Sequence, residues 1–351
     1  MNRIKNLIIP GLFLFLAGCA SYSTVNIDVL KPAKITIPVG IAKVVVVDNA
    51  YPFQKSDSAV HRINLPGRQY TVDTIWKKDF GKVATKTFAE ELEYRQFFDS
   101  VYVAEKAFKS EIEGRNPLNP LTGYELDSLC QKYNAQGVIS LDYYDYGTTI
   151  NVVDMPDYFY STLDARSNTY WTFHNCLTGE RLDYHFQRDT IFWESFGSSI
   201  VSSVDDLPKI REALEEATYH AGAKYAGFVA PTWTNEERIF YQKGHPLFFE
   251  AATEVANNNW DAAKRIWYKV YESSKGKSKA RAAFNLALGQ EVTGNFMEAA
   301  AWGWRSVENY RSLSGISASG MEKDKAVSYY VKLSYRLQEK KKLDEQYGVD
   351  Q

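Results

Sequence analysis

Three groups of residues have the types and spacing to do chemistry. The first is Leu16-Ala17-Gly18-Cys19, a lipobox in which cleavage before Cys19 frees an amine and leaves a thiol for acyl chains. It closes a leader that has Arg3 and Lys5 at its start and Leu7 to Phe15 as its apolar stretch. That stretch is too short to span a bilayer, which takes about 20 apolar residues. The second group is His174, Asp183 and His185, which a hairpin would gather on one sheet face. Imidazole with carboxylate suits zinc, but the same residues also make an ordinary cross-strand polar pair, and that is the expected role. The third group is Asp142, Tyr144, Tyr146, Asp157 and Tyr158. Rings stack on sugar faces and carboxylates accept hydroxyl hydrogen bonds, while two carboxylates about 5 to 9 Å apart hydrolyse glycosides. With 24 tyrosines in the chain, and tyrosine a good strand former, such clustering arises without a ligand.

No phosphate loop, His-Glu-x-x-His or Gly-x-Ser-x-Gly motif occurs, so neither a catalytic residue nor a cofactor is expected. The net charge of −2 becomes more acidic when the leader takes Arg3 and Lys5 with it. With no long basic run either, nucleic acid is excluded as the expected partner. The membrane, reached through the lipid on Cys19, is the expected one, because two or more acyl chains hold a protein stably. Ala20-Ser21-Tyr22-Ser23 carries neither an aspartate nor an acidic cluster, which points to a periplasm-facing outer-membrane lipoprotein.

The elements that must position these groups are legible by period. Residues 1–18 form the leader and 19–40 a tether containing Pro32 and Pro38. An α/β domain follows over 41–243. Ile41 to Val47 reads as a strand buried on both faces, Val83 to Phe98 as an amphipathic helix, and Ser100 to Ala104 as a short strand. Leu121 to Tyr133 is a second helix, with Thr122 and Glu125 spaced as a capping box, and Gln136 to Tyr146 a third strand. Asn151 to Ser167 reads as a long loop. Asn168 to Glu194 is a hairpin turning at Thr178-Gly179, in the register that sets Leu177 opposite Glu180 and Trp171 opposite Phe186. His174 then faces Asp183, and Thr172 faces His185. Leu207 to Phe228 is a helix capped by Asp205 or Asp206, and Pro231 to Tyr241 a strand. Cys130 on a helix seam and Cys176 on an outer sheet face predict two separate thiols.

Residues 244–347 change to alanine-rich helix. Asn259-Trp260-Asp261-Ala262-Ala263 recurs 36 residues on as Asn295-Phe296-Met297-Glu298-Ala299-Ala300, which sets Trp260 on Phe296 and Ala263 on Ala299. The pattern resembles a tetratricopeptide repeat of about 34 residues, with the helix from Met321, capped by Ser319 and Glu322, as a third element. Leu30-Lys31-Pro32-Ala33, the Ile41 to Asp48 strand, Val138-Ile139-Ser140-Leu141-Asp142-Tyr143 and the repeat motif together resemble a family of Bacteroidetes envelope lipoproteins with a tetratricopeptide C-terminus. The resemblance implies an envelope lipoprotein and no activity. The expected function is a lipid-anchored interaction scaffold for an envelope protein, with Trp302, Trp304 and Tyr310 as candidates to line its groove. Core packing is the stronger reading for Trp302 or Trp304, which cannot both point the same way two residues apart. The alternative is an envelope sugar-binding protein or hydrolase using residues 142–160.

Overall fold

The structure, a computed structural model, describes residues 21–51, 61–72, 80–104, 118, 120–313 and 320–349. They form two compact units. One takes residues 30–233 with the chain end from Lys341, and the other takes residues 234–340 with the N-terminal segment up to Val29. The chain is α+β, a sheet-rich part followed by a run of helices.

The segment expected as a tether contains β1 (Tyr22–Lys31), a ten-residue strand. Val25, Ile27 and Val29 alternate along it with Thr24, Asn26 and Asp28, and that period overrides the prolines, which stand beyond its end. In the sheet-rich unit β2 (Lys43–Asp48) lies parallel between β5 (Ser100–Val103) and β6 (Gly137–Asp154). The valine run serves both faces, as its continuous apolar pattern predicts. Val44 and Val46 meet Ala84, Phe88 and Leu92 of α1 (Phe80–Arg95), while Val45 and Val47 meet Leu129 of α2 (Gly123–Tyr133). Thr122 and Glu125 close the expected capping box at the start of α2. A hairpin of β3 (His61–Leu65) and β4 (Arg68–Val72) pairs with the far half of β6, from His61 opposite Thr148 to Asn64 opposite Asn151.

β6 continues through a turn, where the Met155 N–H donates to the Tyr158 carbonyl at 2.9 Å, into β7 (Phe159–Asn175), and β7 into β8 (Arg181–Gly197). The long loop read at 151–167 is therefore the distal end of a hairpin paired to its tip, with Asp154 opposite Phe159. The β7–β8 register also differs by one residue from the expected one: Trp171 faces His185 and Phe173 faces Asp183. Beyond Phe173 the pairing jumps to His174 opposite Arg181, so Leu182 is an extra residue and every later side chain of β8 changes face.

The helix expected over Leu207 to Phe228 is α4 (Ile210–Val229), starting three residues later, and a short unpredicted helix, α3 (Ile200–Asp205), precedes it. Pro208 disfavours helical φ/ψ at Leu207, and Lys209 stands at the N-cap of α4 in place of an aspartate. Gly222 of α4 lets that helix cross α1 closely, since a Cβ there would sit 2.4 Å from the Ala84 carbonyl oxygen. Cys130 and Cys176, expected as separate thiols, form a disulfide with Cα atoms 5.8 Å apart. The sheet face read as solvent-facing is covered by α2 at this end, and the Cys176 N–H bonds the Gln136 carbonyl just beyond that helix.

In the helical unit β1 pairs with β9 (Thr232–Tyr241), as the strand reading of that segment predicts. The helices are α5 (Leu247–Ala256), α6 (Trp260–Ser273), α7 (Gly276–Val292), α8 (Phe296–Arg311) and α9 (Gly320–Tyr347), whose last turns belong to the sheet-rich unit. The two motif copies start α6 and α8, each after a residue in the left-handed region, Asn258 and Gly294. Ala263 and Ala299 are fully buried, Trp260 is buried and Phe296 half-buried. Of the expected box at α9, Ser319 lies outside the described residues, while Glu322 binds Arg281 of α7.

Two outcomes test the packing. Gly222→Val should cost about 1–3 kcal/mol by overpacking, whereas Gly227→Ala, whose Cβ would have nothing nearer than 3.7 Å, should leave the urea midpoint unchanged or raise it. Cys176→Ser should cost about 2–4 kcal/mol in the same measurement, with reductant lowering wild type to the same level.

Candidate functional site

The carboxyl end of β2, flanked by β5 and by the first part of β6, is where an open parallel sheet leaves a crevice, because the neighbours of β2 on its two sides are reached by separate crossovers. Asp142 stands there, fully buried, at a bulge between Leu141 and Tyr143. Its carboxylate accepts from Asn49 Nδ2 at 3.1 Å, from Thr172 Oγ1 at 2.7 Å and from the Ser140 hydroxyl. A carboxylate so surrounded is a structural acceptor that holds β2, β6 and β7 together.

The structure does not gather the rest of the Tyr/Asp group around it. Tyr144 and Tyr146 point into the core against Phe80, with the Tyr144 hydroxyl 2.5 Å from Thr218 Oγ1. Asp157 and Tyr158 lie at the exposed hairpin tip, where Tyr158 packs edge-on against Phe196. Eight residues of strand separate Tyr146 from Asp154, about 26 Å at 3.3 Å each. No cleft with paired carboxylates forms here among the described residues.

The metal candidates are separated by the same cause as the register. His174 shares a face with Val138, on the α2 side. Asp183 and His185 share the opposite face with Phe173 and Trp171, because the extra Leu182 turns them inward. Asp183 accepts from the Tyr225 hydroxyl at 2.9 Å, and His185 stacks on the Tyr225 ring at 5.6 Å. Burial lowers the pKa of both imidazoles, aided at His174 by Arg181 and opposed at His185 by Asp183. Among the described residues no three His, Cys, Asp or Glu side chains converge on a metal position. Cys19 lies outside the described residues, and no described helix is long and apolar enough to cross a membrane.

The helical unit carries a groove of about 580 Å³ between α6, α7 and α8. Its floor is Trp302 of α8 and Leu286 of α7, and its wall is Lys264, Arg265, Tyr268 and Lys269 of α6. Tyr268 meets the Trp302 ring edge-on at 6.1 Å, and Arg305 lies 4.4 Å over that ring. Of the three residues expected to line a groove, Trp302 does so. Trp304 packs on Tyr330 of α9, and Tyr310 is buried with its hydroxyl donating to Glu322 at 2.9 Å. The α6 wall was missed, although Lys264 with Tyr268 and Arg265 with Lys269 are i, i+4 pairs on neighbouring rows of one helix.

The interior position of Tyr146 sets a pH dependence. Burial, and then the Asp145 carboxylate, push its phenol up to about 12, while in the unfolded chain it ionises near 10. Its contribution to stability is therefore complete below pH 10 and lost as pH rises to about 12. Urea midpoints of wild type should fall across that window, and Tyr146→Phe should fall less steeply.

Two family models match the chain, each described as a domain of unknown function: DUF8603 over residues 41–241 and DUF6340 over residues 249–335. No curated protein matches. Among solved structures, the chain is similar to the PelC dodecamer from Paraburkholderia phytofirmans at 13% identity, over 59% of this chain and 99% of that one, with TM-score 0.25. It is similar to protein XCC0632 from Xanthomonas campestris at 8% identity, over 57% and 92%, with TM-score 0.25. A candidate lipoprotein from Caulobacter crescentus CB15 is similar at 9% identity, over 44% and 82%, with TM-score 0.18. With more than half its length matched by the first model, the chain belongs to the DUF8603 family.

Proposed function

We propose that this chain is a lipid-anchored protein of the cell envelope, periplasm-facing at the outer membrane, which serves without catalysis as a docking scaffold. The anchor is Cys19, at the end of a leader with basic start, apolar stretch and small residues in order. The docking element is the pair of helical hairpins, tetratricopeptide-like in their 36-residue recurrence and buried alanines.

The observation that carries the reading is the α6–α8 groove. An aromatic floor with a cationic wall suits an extended or helical protein segment that brings an apolar anchor and carboxylates. Tyr268 is half exposed and Arg265 and Lys269 are exposed, so these side chains are available to a partner.

Arg265→Glu with Lys269→Glu reverses the wall while leaving the core untouched. Affinity capture from detergent-solubilised envelopes should then lose the partner bound by wild type, with at least about tenfold weaker binding. Identical captured sets from the two chains, with the variant's circular dichroism unchanged, would count against the groove.

A further inference from the structure

β8 is an edge. It pairs with β7 alone among the described residues, over the whole of Arg181–Gly197. It has no proline and no lysine, its inward-facing carboxylates Asp183 and Asp189 are already bound by Tyr225 and Lys224 of α4, and its bulge lies at Leu182, near its start. Beyond that point its odd-numbered side chains face α3 and α4, as Gln187, Ser195 and Trp193 show by burial or contact. Its even-numbered side chains form the row Tyr184, Phe186, Arg188, Thr190, Phe192, Glu194 and Phe196, all exposed. Phe186, Phe192 and Phe196 are 52%, 63% and 56% exposed, far more than a solvated edge calls for.

We propose that β8 is the dimerisation edge of this protein, pairing antiparallel with β8 of a second copy about a two-fold axis at Ile191. The argument for a second copy is charge complementarity within the strand itself. An antiparallel two-fold pairing reads the row against its own reverse, and the row keeps to one sheet face only when even positions meet even positions. With the axis at Ile191, Arg188 stands opposite Glu194 of the partner subunit, and the symmetry makes that ion pair twice. Phe186 meets Phe196 of the partner subunit, also twice, and Thr190 meets Phe192 of the partner subunit. Other registers lose this match. An axis at Arg188 sets that guanidinium against itself, one at Asp189 sets that carboxylate against itself, and one at Thr190 or Phe192 leaves both charges facing uncharged residues. The present partners of the two charges leave room for the new pair. Arg188 is exposed and uses Nε for Asn168 Oδ1 at 3.2 Å, and Glu194 is exposed and uses Oε2 for the Tyr160 hydroxyl. Backbone hydrogen bonding over residues 185–197 of each copy would satisfy the edge N–H and carbonyl groups. This surface is independent of the helical groove.

Charge exchange tests the register. The full chain in density-matched detergent should sediment as a dimer. Arg188→Glu and Glu194→Arg should each raise the dimer dissociation constant on the order of 100-fold. The double variant R188E/E194R should restore it. An equimolar mixture of the two single variants should form the heterodimer, because each then supplies what the other lacks. Circular dichroism identical to wild type establishes that the variants fold. A wild-type chain monomeric at about 100 μM, single variants that associate as wild type does, or a mixture that stays dissociated would each overturn the proposal.

Discussion

The sheet-rich unit depends on a single extra residue, Asp142. Before it, odd positions of β6 face α1 and α4, as Ile139 and Leu141 do, and even positions face α2, as Val138 does. After it, the even positions Tyr144 and Tyr146 face α1 and α4, and Ile150 and Val152 continue that face toward the far end. A bulge leaves backbone groups out of the ladder, and here its side chain is a buried carboxylate, which is costly unless hydrogen-bonded. Asn49, Ser140 and Thr172 supply those bonds, one from the end of β2, one from β6 and one from β7. The bulge and its three donors thus tie together the strands that meet there. Loss of one donor would leave the carboxylate short of a bond in a place water does not reach.

This explains why the candidate chemistry at Asp142, Tyr144 and Tyr146 does not assemble. In an unbroken strand these three even positions would share a face, as their spacing suggests. With the bulge at the first of them, the tyrosines turn to the α1 and α4 core while the carboxylate stays with Ser140 and Thr172. A bulge has no reliable mark in sequence, because what selects it is the tertiary set of donors around it. The same holds for Leu182, which reverses Asp183 and His185 relative to His174. Local patterns were legible where one physical cause dominates: the four valines of β2, the i, i+4 apolar series Ala84, Phe88 and Leu92 of α1, and the Thr122–Glu125 box of α2. They were not legible where distant elements decide. β1 has its alternation in sequence, but the partner it pairs with, β9, lies far along the chain, and Cys176 meets Cys130 because α2 covers that end of the sheet.

In the helical unit the corresponding constraint is ionic. Arg238 of β9 and Glu291 of α7 form a two-bond pair at 3.0 and 2.8 Å, with side chains 3% and 1% exposed. The Tyr329 hydroxyl of α9 donates to the same carboxylate at 2.7 Å, and Glu236 takes a third guanidinium N–H. Such a buried pair contributes little net stability against an apolar replacement, while breaking it costs about 3–5 kcal/mol because it strands a buried charge. Asn285 adds direction, since its amide bonds both the N–H and the carbonyl of Tyr241 and so pairs a helix with a strand edge. Two helical hairpins are fewer than the roughly three repeats that bury a continuous core. β9 and α9 supply the missing faces, with Tyr241, Phe284 and Tyr329 in ring contact.

The length of β8 follows from the same hairpin geometry. β6 runs for 18 residues because it serves β2 and β3 in tandem on one side, and β7 and β8 must match it on the other. Helices cover the inner face of this extension: α4 holds Gln187 through the Ala221 carbonyl and ion-pairs Lys224 with Asp189, and α3 packs Ser203 on Ser161. The outer face beyond α2 has no such cover among the described residues, and it carries aromatics where a solvated sheet would carry polar groups. A long edge with an exposed aromatic row is the surface that the proposed β8 pairing would cover. The opposite charges on the exposed row make a second copy the occupant that the strand itself specifies.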